Sequence, residues 1–395
     1  MHEGRNMEVL LGKRILFYVP GMDVINDGVY YSQVFALARY AVSLGAKSLV
    51  VYTSAEESDA AEFSRDGVDV IRCAWDKTYT PLPLMPRKYR RATKPAEERM
   101  ATFAPTHVYV RDPLSGYAGI SLARQLTAKL VFSRRGAGIV SERLTLKTFL
   151  QEVILRYYVW RILWHADHVN TVSESLKKHE ERWYHGEMSV LPCCVMPERL
   201  VPVPVAERTA CRKELGIPLD AKVVAYSGGL SSYQCIDEIL NLMKVMHEVD
   251  SRLFFMVLTK SQDLLTTKLQ ALGLSTDCIR AKACTPVDVS RYLQAADVAV
   301  ILRKDNLLNR TASPVKIGEY LASGLGVIVS PCIGDVMATL GDKDFALLAG
   351  PDFTGEKAVA FTYAMDDARR TRARDFAACY FTYEGNTDIV KKMFS

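Results

Sequence analysis

The sequence has no apolar run long enough to cross a bilayer as a helix, and it has no low-complexity segment of any size. The stretch from Met1 to Lys13 carries charges and lacks the apolar core of a secretory signal. Nine cysteines are scattered, with Cys193 and Cys194 adjacent rather than spaced as a CxxC pair, and seven histidines show no ligand spacing. These absences favour a cytoplasmic protein with reduced thiols over a membrane-spanning, disulfide-linked or metal-binding one.

Two familiar nucleotide-binding patterns are missing as well. The sequence contains neither the GxGxxG pattern of dehydrogenases nor the Walker A pattern of P-loop NTPases. Its basic residues form no stripe across a recognisable nucleic-acid module, so we expect no nucleic-acid partner. We also expect no metal ion and no cofactor, because no Asp-x-Asp motif is predicted to bind a metal.

The net charge of +5 is unevenly distributed along the chain. Residues 1–200 hold 27 Lys and Arg against 22 Asp and Glu, and the remainder holds 23 of each. A basic first half could contact an anionic membrane surface or a phosphorylated acceptor. An excess of five charges is also ordinary for a protein of this size, and the composition leaves both interpretations open.

The length of 395 residues predicts two domains rather than one. Both halves alternate short β-rich runs with amphipathic stretches, which is typical of parallel sheets built from βαβ units. A cluster of prolines at positions 192, 197, 202 and 204 predicts a linker between the halves. We therefore expect an α/β fold with two doubly wound, Rossmann-like domains over residues 1–197 and 205–378. The predicted strands are 14–19, 48–52, 68–72, 107–111, 129–133, 166–173 and 188–191, then 222–227, 253–259, 297–302 and 326–330.

Loops that follow strands are where such sheets bind ligands. Ser227, Gly228 and Gly229 follow a predicted strand and precede a predicted helix, so their backbone could approach a phosphate closely. A Gly-Gly turn is also a plain strand-to-helix connection, and alone it is a weak signal.

The stretch from Arg303 to Glu319 is more informative. Arg303 stands at the carboxyl end of a predicted strand, and Pro314 opens a helix that bears Lys316 and Glu319 three residues apart on one face. A lysine beside free helix N-terminal amides suits a diphosphate, and a carboxylate one turn further suits a ribose diol. A surface ion pair between Lys316 and Glu319 fits this spacing equally well.

The segment from Ser313 to Gly324, running into Val327–Ser330, closely resembles the donor-site helix of glycosyltransferase family 4. The likeness covers residues 165–340 well and the first half more loosely. It implies a retaining enzyme of the GT-B type, in which two Rossmann-like domains face a cleft. By this resemblance residues 1–197 bind the acceptor, residues 205–378 bind the donor nucleotide, and a C-terminal helix in 379–395 crosses back to the first domain.

The resemblance also implies roles for individual residues. Glu319 matches the glutamate that binds the ribose, whereas Thr311 stands where the family has a second glutamate, so that contact with the donor sugar is altered. Gln234 occupies the position of a family lysine. Lys316 and Arg303 are then the cations left for the diphosphate, together with the backbone amides around the segment that runs from Ser313 through Pro314 to Val315.

On the acceptor side, the loop from Gly21 to Gln33 matches the family's glycine loop. Gly28 would allow close approach, with Asp27 and Tyr30 nearby. Arg135 stands near the place of a family histidine, and Arg111 ends the preceding strand. The arginines favour an anionic group on the donor or acceptor, and a structural pair between Arg111 and Asp112 is the alternative.

Two stretches bear on a membrane-bound acceptor. Residues 87–94 are densely basic, and 150–164 form a helix rich in tyrosine, tryptophan and arginine. Together they suit a membrane interface. The default interpretation makes the basic run a solvated loop and the aromatic helix part of the core.

We therefore expect a retaining glycosyltransferase that moves a sugar from a nucleotide diphosphate sugar to a glycan or lipid-linked acceptor, in cell-surface polysaccharide or glycoconjugate synthesis. Lys316, Arg303 and Glu319 are the expected catalytic residues. Peripheral contact with the cytoplasmic face of a membrane is the expected location besides the cytoplasm. The alternatives are a GT-B epimerase or phosphorylase and a non-catalytic sugar-nucleotide-binding protein.

Overall fold

The computed structural model describes residues 9–25, 27–55, 61–137, 145–202, 204–274, 277–284 and 288–395. The chain divides into two compact units, of which the first comprises Met1–Pro192 and Asn386–Ser395 and the second comprises Cys193–Gly385. The boundary follows Pro192, the first residue of the predicted proline-rich linker, and lies five residues before the predicted end of the first domain at 197. Cys193 and Val195 belong to the second unit because their amides donate to the Ser313 hydroxyl and to the Phe381 carbonyl.

The first unit is a sheet flanked by helices. Its strands are β1 (Arg14–Val19), β2 (Lys47–Ser54), β3 (Ala61–Arg65), β4 (Val68–Ala74), β5 (His107–Val110), β6 (Lys129–Arg134), β7 (His168–Thr171) and β8 (Glu187–Val190). Its helices are α1 (Gly28–Tyr30), a π-helical segment (Tyr31–Phe35), α2 (Ala36–Ser43), α3 (Met85–Ala92), α4 (Glu97–Phe103), α5 (Pro113–Gln125), α6 (Leu146–Leu163) and α7 (Glu174–Glu180). Single 3₁₀ turns occur at Leu82–Leu84 and Lys94–Ala96.

The strand order in this sheet is β3-β4-β2-β1-β5-β6-β7-β8, and every described pair is parallel except β3 with β4. The central strands are continuous apolar runs because helices cover both faces of a parallel sheet. The edge strand β3 was not predicted from the sequence. Its five residues, Ala61–Arg65, are partly or fully exposed and polar at three positions, so they carry no buried-strand pattern.

The second unit repeats the same architecture. Its strands are β9 (Val223–Ser227), β10 (Phe254–Leu258), β11 (Ile279–Lys282), β12 (Val298–Ile301), β13 (Gly326–Val329) and β14 (Ala346–Leu348). Its helices are α8 (Val205–Glu214), α9 (Ile236–Val249), α10 (Gln262–Leu272), α11 (Val289–Leu293), α12 (Leu307–Arg310), α13 (Val315–Ala322), α14 (Val336–Leu340), α15 (Gly355–Ala364) and α16 (Asp367–Tyr380). The strands are parallel in the order β11-β10-β9-β12-β13-β14.

The last helix, α17 (Thr387–Met393), belongs to the first unit. Val390, Met393 and Phe394 are buried there, and the ring of Phe394 packs 6.2 Å from that of Phe17 and 6.5 Å from that of Tyr109. The tyrosine hydroxyl of Tyr40 shares a 2.5 Å hydrogen bond with Thr387. The ten residues after Gly385 therefore complete the core beside strands β1 and β5.

The second sheet is anchored at the amino end of β12 by a buried charge cluster. The Asp297 carboxylate lies 2.6 Å from Arg370 and 3.1 Å from each of Arg208 and Arg212, and it also accepts a 2.9 Å hydrogen bond from the amide of Val223. Burial lowers the pKa of Arg212 and of Arg370, and the charge of Asp297 opposes that shift. This cluster ties strands β9 and β12 to helices α8 and α16.

Two elements of the first unit differ from their predictions. The basic stretch 87–94 is not a loop, because residues up to Ala92 form helix α3, which buries Pro86 and Tyr89 and leaves its arginines toward solvent. The aromatic helix α6 is not simply core. Tyr158 is buried as expected, but Tyr157, Trp160 and Trp164 are exposed.

Candidate functional site

The loops after β9 and β12 lie side by side, because these two strands are neighbours in the second sheet. Ser227, Gly228 and Gly229 follow β9, and Arg303 follows β12. Both loops are at the carboxyl ends of parallel strands, which is where ligands bind in such sheets. The structure therefore brings together two segments that are about eighty residues apart in the sequence.

The glycine loop is fixed by two tyrosines that the sequence analysis did not single out. The Tyr320 hydroxyl accepts a 3.0 Å hydrogen bond from the Ser227 amide, and the Tyr226 hydroxyl donates a 2.6 Å hydrogen bond to the Gly229 carbonyl. Burial raises the pKa of Tyr320 to about 12, so this phenol stays neutral. Tyr320 lies one turn beyond Lys316, and this i,i+4 spacing could have indicated a shared face.

Lys316 points into this loop from the first turn of α13. Its ammonium donates to the Gln234 side-chain oxygen at 3.0 Å and to the Tyr226 hydroxyl at 3.4 Å, and it lies 4.6 Å from the centre of the Tyr226 ring. Burial, followed by the charge of Arg303, lowers the pKa of Lys316 to about 7, while Glu319 acts in the opposite direction. The lysine is thus part of a partly enclosed cluster rather than half of a solvated surface pair.

Arg303 is the second cation of the cluster. Its guanidinium donates to the Gln234 side-chain oxygen at 2.6 Å, to the Gln234 backbone carbonyl at 3.2 Å and to the Leu302 carbonyl at 2.8 Å, and it lies over the Tyr233 ring. One amide oxygen therefore accepts from both Arg303 and Lys316. Two cations that share a single neutral acceptor leave positive charge uncompensated, and an anion is the ligand that compensates it.

The start of α13 adds backbone donors to these cations. Pro314 is the N-cap residue, and the Ile317 amide donates to its carbonyl at 3.1 Å, so the amides of Val315 and Lys316 are the ones that precede the first bond of the helix. The Ser313 hydroxyl accepts from the Cys193 amide at 3.1 Å. Glu319 lies on the same helix, one turn beyond Val315. The four predicted donor residues Ser313, Pro314, Val315 and Glu319 are therefore placed along one helix start.

Thr311, unlike the other predicted donor residues, has its side chain bound within its own helical turn. Its side chain is buried at the end of the short helix α12, and its hydroxyl donates to the Leu307 carbonyl at 2.9 Å. The contact stabilises the turn before Ser313. Thr311 thus stabilises the loop through its hydrogen bond to a backbone carbonyl, in addition to any contact that it makes with a sugar.

Gly228 has a backbone conformation that costs conformational free energy for any residue other than glycine. Its φ is +136°, and a Cβ atom there would collide with the Nζ and Cε atoms of Lys316. We expect Gly228→Ala to lower the free energy of unfolding by about 1–3 kcal/mol and to displace the lysine, which weakens nucleotide diphosphate binding about tenfold or more. Thermal melting and isothermal calorimetry measure the two effects.

The matched control is Gly273→Ala. Gly273 also has a positive φ, +62°, but a Cβ atom there meets nothing within 4 Å. This variant should lose stability without losing nucleotide affinity. Equal affinities of the two variants would show that the closeness of Gly228 to Lys316 has no role in binding.

Among the described residues, no group of three or more His, Cys, Asp or Glu side chains is arranged to hold a metal ion. One Asp-x-Asp triplet does occur, at Asp342, Lys343 and Asp344, contrary to the sequence interpretation. It lies after α14, where Asp342 pairs with Lys343 and Asp344 pairs with Arg372. Its two carboxylates thus face local cations at the surface.

Comparisons with known proteins agree with this arrangement. Residues 32–194 match the family model described as a glycosyl transferase 4-like domain. The whole chain superposes on a sucrose-phosphate synthase from Thermosynechococcus elongatus with a TM-score of 0.76 at 18% identity, covering 96% of this chain and 97% of that one. Residues 32–194 thus match a glycosyl transferase 4-like domain, and the chain has the GT-B fold.

Other solved structures share the fold of this chain. HepE from Anabaena, in complex with UDP and glucose, has a TM-score of 0.65 at 15% identity, covering 96% of this chain and 99% of that one. Starch synthase IV from Arabidopsis thaliana, bound to ADP and acarbose, has a TM-score of 0.65 at 12% identity, covering 97% and 98%. No curated protein sequence matches the chain.

The predicted acceptor-side residues all lie in the first unit. Asp27 is the N-cap of α1, and its carboxylate accepts from the amides of Val29 and Tyr30 at 2.8 and 3.2 Å. Gly28 is the first residue of that helix. The Arg111 guanidinium lies 5.3 Å from the centre of the Tyr30 ring. Asp27 thus holds the helix start, and Tyr30 and Arg111 stack beside it.

Arg135 follows the neighbouring strand β6. It donates to the Tyr109 hydroxyl at 3.0 Å and to the Gln33 side-chain oxygen at 3.4 Å. The alternative of a structural Arg111–Asp112 pair describes only one of the interactions of Asp112. Asp112 caps α5 by accepting from the amides of Leu114 and Ser115. Burial raises the pKa of Asp112, and these hydrogen bonds and the charge of Arg111 oppose the rise.

Proposed function

We propose that this glycosyltransferase takes a sugar from a nucleotide diphosphate sugar and transfers it, with retained anomeric configuration, to a glycan or lipid-linked acceptor in cell-surface polysaccharide or glycoconjugate synthesis. The observation that carries the proposal is the cluster in which Lys316 and Arg303 share the side-chain oxygen of Gln234. A diphosphate supplies the negative charge that this cluster lacks.

In the proposed complex, the diphosphate lies at the start of α13. The ammonium of Lys316 and the free amides of the first helical turn bind its oxygens. Arg303 acts mainly by positioning, because Gln234 and the Leu302 carbonyl already hold its guanidinium. The carboxylate of Glu319 accepts from the ribose hydroxyls. This division assigns the charge contact to Lys316 and the nucleoside contact to Glu319.

Retention follows from the chemistry that this arrangement allows. The departing diphosphate accumulates negative charge as its bond to the sugar breaks, and Lys316 with the helix amides stabilises that charge. A phosphate oxygen of the same leaving group accepts the proton of the incoming hydroxyl, so attack occurs on the face from which the diphosphate departs. The protein contributes orientation and charge stabilisation rather than a nucleophile.

UDP-sugars are the first donors to test. HepE is described in complex with UDP-glucose, and starch synthase IV is described as bound to ADP, so a pyrimidine and a purine diphosphate both occur on this fold. We propose UDP for this chain, with ADP, GDP and TDP as the comparison set.

A thermal-shift series with UDP, GDP, ADP and TDP tests the donor site. A ligand at 100 times its Kd stabilises the fold by about 2.7 kcal/mol, which raises Tm by roughly 5–10 °C for a unit of this size. Lys316→Met should reduce this shift, whereas the exposed-lysine control Lys260→Met should keep it in full. The proposal fails if none of the four diphosphates raises Tm of the folded wild-type chain.

Product analysis then separates transfer from the other possible reactions. Incubation with the binding nucleotide sugar and an acceptor should give a glycoside whose anomeric configuration, determined by NMR, equals that of the donor. The same donor in water alone separates an epimerase, which needs no acceptor, from a transferase. Inverted product would overturn the proposed retention while leaving the donor site intact.

A further inference from the structure

Helix α6 of the first unit is apolar on two opposite faces. Its inner face buries Tyr158, Val159, Ile162 and Leu163. The ring of Tyr158 packs 4.4 Å from that of Tyr117 on α5, and its hydroxyl donates to the Pro83 carbonyl at 3.2 Å. This face accounts for how the helix is held against the sheet.

The outer face of α6 is equally apolar, but no part of the chain that the structure describes buries it. We call its seven side chains the outer stripe, and each is between 44% and 75% exposed. They are Leu146, Phe149, Leu150, Val153, Tyr157, Trp160 and Trp164. At 3.6 residues per turn they fall within a sector of roughly 100°. A helix that is apolar all round is normally buried, so the outer stripe is a surface for a partner.

Positive charge surrounds the outer stripe. Arg156 and Arg161 flank it on the helix itself, on opposite sides of the sector. Helix α3 packs against α5, which also packs against α6, and α3 carries Arg87, Lys88, Arg90 and Arg91, with Lys94 just after it. Burial and Tyr157 raise the pKa of Tyr117, and the charges of Arg161 and Arg87 oppose the rise, so both guanidinium groups lie near this phenol. The outer stripe and α3 are therefore neighbours on one surface.

Part of this charge has no counter-ion among the residues that the structure describes. Lys88 lies 4.0 Å from Asp76, Arg90 lies 3.7 Å from Glu97, and Arg156 is bonded to Glu152. Within the described ranges, Arg87, Arg91 and Lys94 form no ion pair. An external anionic surface would complete both the apolar and the electrostatic contacts.

We propose that the outer stripe and helix α3 dock on an anionic lipid bilayer, with α6 lying parallel to the membrane plane. Tryptophan and tyrosine favour the headgroup region, and flanking arginines contact lipid phosphates. A second copy of the chain fits less well, because symmetric pairing would bring the unpaired cations of two α3 helices together. No described helix is long and apolar enough to span a membrane, so the contact is with its surface.

This inference goes beyond the proposed transfer reaction and does not depend on it, because lipid binding needs neither donor nor acceptor. It also indicates where the enzyme would encounter its acceptor. A lipid-linked acceptor is carried by the same bilayer surface, so docking would raise its local concentration at the enzyme.

Co-sedimentation of the full chain with vesicles tests the proposal. We expect binding to phosphatidylcholine vesicles that contain phosphatidylglycerol, weak binding to phosphatidylcholine alone, and release by high salt because surface charges are screened. Trp160→Ser combined with Trp164→Ser should weaken binding about tenfold or more. Arg87→Glu combined with Arg91→Glu should have a similar effect and should abolish the dependence on anionic lipid.

The controls are matched pairs in the second unit. Val205→Ser with Met337→Ser removes two exposed apolar side chains, and Lys213→Glu with Lys260→Glu reverses two exposed charges. Both should bind vesicles as the wild type does, and circular dichroism should show that all four variants are folded. Equal loss in test and control pairs would overturn the proposal.

Two other outcomes would also overturn the proposal. Sedimentation velocity that shows a dimer, lost in the tryptophan variant, together with no vesicle binding would assign the outer stripe to a second copy. A monomer that binds no vesicles would assign it to another protein. The nucleotide thermal shift is unaffected by any of these outcomes, so it tests the donor site separately.

Discussion

Replacing Lys316 by methionine is expected to lower kcat by roughly 10²–10³-fold, the range found when one group that stabilises developing charge is removed. Methionine keeps much of the length of the side chain but not its charge, so the Tyr226 ring still has a packing partner. The departing diphosphate would then be stabilised by helix amides alone. Initial rates of transfer at saturating donor measure the effect.

Lys260→Met is the control for this substitution, because Lys260 is an exposed lysine in the loop after β10 of the same unit. Its kcat should equal that of the wild type. If the Lys316→Met enzyme had an unchanged kcat, Lys316 would not be part of the catalytic site, whatever the nucleotide affinity of the variant. A rise in KM with constant kcat would instead make Lys316 a ground-state binding group.

The same lysine should give donor binding a pH dependence. With a pKa of about 7 in the free enzyme, Lys316 is protonated below pH 7 and progressively neutral above it. A bound diphosphate raises the pKa of this group, because the opposite charge favours the ammonium form. Binding then takes up a proton, so affinity is highest below pH 7 and falls as pH rises. Calorimetry with UDP-glucose should show this slope in the wild type and not in Lys316→Met.

Asp297→Asn should lower the free energy of unfolding of the second unit by about 3–5 kcal/mol, the usual cost of removing one partner from a buried ion cluster. Asparagine keeps the size of the side chain but leaves Arg212 and Arg370 buried without their counter-ion. The strand β12 that positions Arg303 starts next to this residue. Urea denaturation of the second unit measures the loss.

Asp344→Asn is the comparison for this prediction. Asp344 also contacts two arginines, Arg369 and Arg372, but all three side chains are substantially exposed. Because surface ion pairs contribute little, the expected loss is below about 1 kcal/mol. Similar losses of unfolding free energy in the two variants would show that burial is not the reason why the Asp297 cluster stabilises the fold.

The fold was predictable because buried parallel strands leave continuous apolar runs in the sequence, as at Arg14–Val19 and Val298–Ile301. Edge strands were missed for the same reason. Ile279–Lys282 is only partly buried and has two basic residues, so it carries no such run. The Asp297 cluster could not be derived either, since pairing Arg212 with Arg370 requires knowledge of which elements meet in space.

The candidate site was predictable where its residues are local in sequence and not elsewhere. Ser313, Lys316 and Glu319 share one helix start, and their spacing indicated a phosphate and ribose site. The contact of Lys316 with Gln234 joins residues 82 positions apart. The aromatic helix at 150–164 was assigned to the core by default, because it lies between two predicted strands, with a membrane interface as the alternative. Composition identifies apolar residues but does not tell which of two apolar faces is covered.

The placement of α17 has a consequence for how the chain reaches its native state during synthesis. Strands β1 and β5 emerge from the ribosome early, yet the residues that cover Phe17 and Tyr109 are made only after the entire second unit. The second unit is continuous in sequence and can fold by itself as it emerges. The first unit must wait, with an incomplete core, for some two hundred further residues. Completing the core of the first unit requires contacts between residues that are far apart in the sequence, and such contacts form slowly.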